Sequence, residues 1–152
     1  MDAFTLIKKD HDRFRKMFKD YEEAGERAYK TKLGIATTFF DELNAHEVME
    51  EEIFYPALKE RMSKDGVELV MEGYEEHHVA DLIVAELKAL DVEDETYDPK
   101  FKVLQENVEH HMEEEEKNMF PEAKKVLRED AEEIGEAMQA RKEDELQKVG
   151  AS

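Results

Sequence analysis

The sequence predicts an all-α fold: an up-down-up-down antiparallel four-helix bundle with a helical C-terminal tail. Three observations predict it. Only three prolines and six glycines punctuate the 152 residues, and good helix formers such as Leu, Glu, Lys, Ala and Met dominate the rest. Apolar residues fall at three- and four-residue steps, and no long stretch alternates with a period of two. The breaks between these periodic stretches are short, which suits helices lying antiparallel to their neighbours.

The first helix, about 2–28, carries the stripe Phe4, Ile7, His11, Phe14, Phe18 and Tyr21. The second, about 31–62, carries Ala36, Phe39, Leu43, His46, Glu50, Ile53 and Ala57. Lys64-Asp65-Gly66 is turn chemistry before a third helix of about 64–90. Its stripe is Val67, Val70, Tyr74, His77, Val84 and Leu87, with Ala80 or Asp81 filling the gap. The acidic segment Asp91 to Pro99 is the longest loop, and Pro99 suits the first turn of a fourth helix, about 98–127. Phe101, Leu104, Val108, His111 and Glu115 form that last stripe. Residues 1–128 are thus expected as the bundle and 129–152 as a polar helical tail with a weak stripe at Ile134 and Met138.

Composition removes several functions. With 22 basic and 41 acidic residues the formal charge is −19, so the chain repels phosphate backbones and anionic membrane surfaces alike. The absence of cysteine excludes disulfides, thiolate metal sites and cysteine nucleophiles. No apolar run is long enough to span a bilayer, and the start of the chain lacks a secretory pattern. A soluble, cytoplasmic protein is expected, without nucleic acid or membrane as partner. Its oligomeric state leaves no signature. At 40% hydrophobic, the chain has enough apolar material for a core.

What interrupts the stripes carries the chemistry. Six positions that packing alone would fill with Leu or Ile are His11, His46, Glu50, His77, His111 and Glu115. One histidine on an apolar face is an ordinary core residue. A buried glutamate without a partner costs several kcal/mol, and six such residues on four converging faces are most economically satisfied together by metal. His46 and Glu50, like His111 and Glu115, sit one helical turn apart. His111 follows His46, Glu115 follows Glu50 and Pro121 follows Pro56 by the same 65 residues, and His77 follows His11 by 66. The chain reads as two copies of one unit supplying equivalent ligands to a shared site.

Four imidazoles and two carboxylates without thiolate suit iron or manganese, with zinc an alternative. Glu50 and Glu115 are placed to bridge two ions. Such a set supplies about eight of the roughly twelve bonds that two octahedral ions want, and an oxo or hydroxo bridge about two more. The centre is therefore open to a small ligand.

Asp10-His11, His46 to Pro56 (HEVMEEEIFYP), Glu76-His77 and His111 to Pro121 (HMEEEEKNMFP) together resemble the hemerythrin-like, HHE cation-binding domains. The resemblance runs from about Leu6 to Pro121. It implies a four-helix bundle around a non-heme pair of iron ions that engages oxygen, nitric oxide or peroxide. The oxygen carriers of this family have a further histidine one turn before His77, where this chain has Gly73. The resemblance therefore implies a vacated coordination position, and chemistry on peroxide or nitric oxide rather than reversible carriage.

Among neighbours, His77 is favoured over His78, which shares a face with Met71, Glu75, Leu82 and Ala85. His111 is favoured over His110 by the repeat. Some relatives use the residue after the second-helix histidine, here Glu47, but its repeat counterpart is Met112. The other glutamates of 50–52 and 113–116 read as solvated, and Asp10 as a partner for His11. Tyr74, one turn from His77, is either a core aromatic or a catalytic phenol directed at the position that Gly73 vacates. Two function classes remain: an oxidoreductase acting on a small oxidant, in the manner of a catalase, or a non-catalytic sensor, carrier or iron buffer.

Overall fold

A computed structural model describes residues 1–150. Helix α1 spans Ala3–Glu23 and starts where the Asp2 carboxylate accepts from the Thr5 amide at 2.8 Å. Helix α2 (Tyr29–Met49) runs through a π turn (Glu50–Phe54) into α3 (Tyr55–Lys59). Helix α4 (Lys64–Lys88) is capped by the Ser63 hydroxyl, which accepts from the Gly66 amide. Helix α5 (Tyr97–Glu114) likewise passes through a π turn (Glu115–Met119) into α6 (Phe120–Val126). The expected second and fourth helices are thus interrupted rods. Lys64 to Gly66, expected as a turn, form the first turn of α4, because Ser63 supplies the cap one residue earlier.

The two π turns begin at Glu50 and Glu115. Each adds one residue to the turn: the Tyr55 amide donates to the Glu50 carbonyl and the Phe120 amide to that of Glu115, five residues back. The added residue rotates everything that follows. Past Glu50 the buried positions are Phe54, Tyr55 and Leu58, while Ile53 and Ala57 are only half-buried. The predicted stripe fails there for this reason. Pro56 and Pro121 sit at the start of the resumed α-helices, where a missing amide is tolerated.

Two apolar clusters fill the bundle. One holds Phe14, Phe18, Phe39, Leu43, Phe101, Leu104, Val108 and Met112, among others. The second holds Phe4, Ile7, Phe54, Tyr55, Leu58, Val70, Phe120 and Leu127. The six interrupting residues lie between them along the helices.

The C-terminal segment is not a solvated tail. Helix α7 (Ala131–Lys148) packs against α1 and α2. Met138 is fully buried in the second cluster. A Cβ on Gly135 would collide with the backbone of Met1, Asp2 and Ala3, so only glycine lets the helix lie this close. Arg141 reaches Glu52 at 3.0 Å. No helix among the described residues is long and apolar enough to cross a membrane.

Candidate metal centre

The two clusters press four helices together around the polar layer. His11 comes from α1, His46 from α2, His77 from α4 and His111 from α5; Glu50 and Glu115 open the π turns. All six are buried, none more than 7% exposed. The Nε2 atoms turn inward: His11 lies 3.0 Å from Glu115, His77 3.0 Å from Glu50, and His46 and His111 3.3 Å from the glutamate one turn on in their own rods. Candidate donor atoms fall into two groups, each within 4.8 Å: His11, His46, Glu50 and Glu115, and Glu50, His77 and His111. Glu50 belongs to both, as a bridge would. His78 and His110 are exposed.

The Nδ1 atoms turn outward, each to a carboxylate: His11 to Glu116 at 2.6 Å, His46 to Asp10 at 2.8 Å, His77 to Glu51 at 2.8 Å and His111 to Glu76 at 2.7 Å. This fixes which nitrogen faces inward and strengthens it as a donor. Asp10 thus serves His46, not His11, and Glu51 and Glu116 are partners rather than solvated surface. Their signal was in the sequence. Asp10 and Glu76 are 66 apart, and Glu51 and Glu116 are 65 apart, the offset of the repeat itself. Two of these carboxylates are held by cations: Asp10 by Lys142 of α7 at 2.6 Å, and Glu116 by Arg15 at 2.9 Å.

Burial and mutual contact move several of these groups away from their ordinary proton affinities. Burial alone would raise Glu50, but the charge of His46 and the close approach of three imidazoles hold it well below the usual carboxylate range. Burial would lower His46, yet Glu50 and Asp10 raise it to about 10. His111 is raised well above the usual range, against burial, by Glu115, Glu50 and Glu76. Even so, His46 Nε2 and Glu50 Oε2 make no hydrogen bond. Two buried polar atoms without a partner, on residues of one donor group, fit a bound cation.

Tyr55, not Tyr74, reaches the layer. Its hydroxyl donates to Glu115 at 2.6 Å and lies 3.3 Å from His111 Nε2. Burial and then the two glutamates raise the phenol well above its ordinary range, so it stays a hydroxyl. A Cβ on Gly73 would stand 2.8 Å from that oxygen. The position that Gly73 leaves free is therefore filled by Tyr55. Tyr74 instead donates to the Glu51 carbonyl at 3.3 Å, the acceptor that Pro56 leaves unused five residues on, and meets the Tyr55 ring edge-on. Tyr55 escaped the sequence reading because the π turn moves it onto the buried face. Its repeat counterpart, 65 residues on, is Phe120.

Beside His46, His77 and His111 lies a cavity with room for one water-sized molecule, walled by Phe14, Leu43, Ala80, Val108 and Met112. Glu47 lies on its rim, outside both donor groups, with its carboxyl against Asp81.

The sequence profile of the hemerythrin HHE cation-binding domain matches residues 2–123. The chain belongs to the hemerythrin HHE family. Domains of this family bind metal cations, and the buried His/Glu layer is the metal-binding candidate here. A hemerythrin-like protein of Schizosaccharomyces pombe is 25% identical over 124 residues, which cover 82% of this chain. The match spans 60% of the yeast protein's length. In structure, the chain is similar to a hemerythrin HHE cation-binding domain-containing protein of Mycobacterium kansasii. The TM-score is 0.83 at 23% identity, covering 97% of this chain and 89% of that one, and shows the shared fold. The match to the hemerythrin HHE profile ends within α6, so α7 lies beyond it.

Proposed function

We propose that His11, His46, Glu50, His77, His111 and Glu115 hold two iron ions sharing an oxo or hydroxo bridge, and that the centre disproportionates hydrogen peroxide. The observation that carries the reading is the closed pattern of contacts. Four imidazoles turn one nitrogen toward two buried glutamates and the other onto a carboxylate, while two inward atoms lack any partner. Oxygen and imidazole donors without sulfur favour iron or manganese. Two iron ions would supply reversible exchange of two electrons per cycle.

The residues of this chain do the rest. Glu50, shared between the donor groups, would keep two cations close, and Glu115 faces His11 with one oxygen and His111 with the other. The outer carboxylates hold the imidazoles in place through changes of charge at the centre. The small apolar cavity has room for one water-sized molecule beside the imidazoles, too little for an organic substrate. Tyr55 holds a proton at its hydroxyl oxygen and donates it toward Glu115. Disproportionation balances without an outside reductant. One peroxide takes two electrons and two protons to become two waters, and a second gives up the same to become oxygen.

The test is oxygen release from peroxide by iron-loaded protein, against metal-free His46→Ala. Release well above that control supports the reading. Release at its level, with reversible uptake of oxygen on gas exchange, marks a carrier or sensor instead.

A further inference from the structure

The six residues of the layer are buried, so an ion can reach them only through a wall of the bundle. The cavity beside them has two walls that also face open grooves. Between α4 and α5 the shared residues are Glu76 and Asn107, and Glu76 is already fixed on His111 at 2.7 Å. Between α2 and α4 the shared residues are Leu43 and Glu47, and the groove outside them holds Asp81. Glu47 is only 3% exposed, its carboxyl lies against Asp81, and its Oε2 makes no hydrogen bond. A carboxyl oxygen left without a hydrogen bond at that depth carries a cost that a cation would relieve.

Placement along the helices adds a direction. Glu47 follows His46 on α2, and Asp81 lies one turn beyond His77 on α4. The two acids therefore neighbour the two imidazoles that line the cavity on the same helices, and both line the outer groove. Glu47 belongs to neither donor group of the layer. We infer that Glu47 and Asp81 form a transit site for a divalent cation, passing ions from the groove between α2 and α4 to the buried centre. Two carboxylates without imidazole bind a hard divalent ion loosely, as a relay requires, while the His-rich layer binds more tightly. The chain's −19 charge concentrates cations at the groove, where the cation among its lining residues is Lys88, two turns from Asp81.

This inference rests on the metal-centre reading, and its test separates the two. Metal-free full-length protein is mixed rapidly with Co2+, and the visible absorption of imidazole-bound cobalt is followed together with the final cobalt content. Asp81→Asn and Glu47→Gln are expected to load roughly tenfold more slowly and still reach the wild-type content. Glu75→Gln, in the groove between α4 and α5, is expected to load at the wild-type rate. Wild-type rates in Asp81→Asn and Glu47→Gln, or equal slowing in Glu75→Gln, would overturn the transit site alone. So would a Glu47→Gln protein that ends short of the wild-type content, since Glu47 would then be a permanent ligand. Wild-type protein that takes up no cobalt overturns the metal-centre reading, and the transit site with it.

Discussion

Tyr55 sits where a small change reads out directly. Tyr55→Phe removes the hydrogen bond to Glu115 and makes this half of the centre match the other, which has Phe120. Iron content should hold while peroxide turnover falls at least about tenfold, a proton-handling effect of ordinary size. Unchanged turnover would free Tyr55 from that role. Gly73→Ala presses a methyl group onto the same phenol, 2.8 Å away, and should cost about 1–3 kcal/mol in thermal or denaturant unfolding. His46 gives the pH dependence. Its metal-free value of about 10 lies above the unfolded value of about 6.5, so its protonated form stabilises the metal-free fold fully below the latter. That contribution is lost as pH rises through the former. A metal ion needs the neutral ring, so affinity should rise with pH across this window, by up to about tenfold per unit for each proton displaced. Competition with a coloured chelator over that range measures it, and a flat profile would contradict the assignment. The six layer residues were legible because each breaks an apolar stripe and recurs at a fixed offset. Tyr55 was not, because a rule of 3.6 residues per turn loses phase at a π turn.

The π turns and α7 are the elements that periodicity could not supply. Each π turn opens at a glutamate of the layer, and the residue it adds carries the buried face onward to Phe54 and Tyr55 on one rod and Met119 and Phe120 on the other. Tyr74 supports the first of them through the Glu51 carbonyl. Tyr74→Phe should therefore lower stability by about 0.5–1.5 kcal/mol and leave both metal content and turnover unchanged; lost turnover would restore Tyr74 as a catalytic phenol. Helix α7 has a weak apolar stripe of its own, and its docking depends on contacts far away in sequence, 89 residues for Arg141 with Glu52 and 132 for Lys142 with Asp10. Lys142 holds Asp10 at 2.6 Å, and Asp10 holds His46 at 2.8 Å. Lys142→Met leaves a buried carboxylate without its cation. It should cost about 1–3 kcal/mol in the metal-free protein and weaken metal retention, with Lys142→Arg close to wild type. Equal chelator release from wild type and Lys142→Met would cut the link between α7 and the centre.

At the scale of the molecule, the domain is two near-copies of one unit facing each other across a buried polar layer, with a fifth helix laid over α1 and α2. The two-fold pattern reaches past the inner residues to the four outer carboxylates. The copies also differ. The first has Tyr55 where the second has Phe120, and the second has Gly73 where the first has Ile7; the outer carboxylates of His11 and His46 are tied to Arg15 and Lys142, while Tyr55 lies against His77 and His111. The all-α class and the meeting of four stripes could be read from spacing because helix geometry is local. The differences between the copies could not, since they arise where side chains from distant segments compete for one space. The central claim is two ions in one coupled centre. It is tested most directly by the Mössbauer spectrum of protein loaded with iron-57 and oxidised in air, taken with the iron content. The account predicts two iron atoms per chain, both in a spin-coupled diferric pair with a diamagnetic ground state. One iron per chain, or magnetically isolated iron, would contradict it.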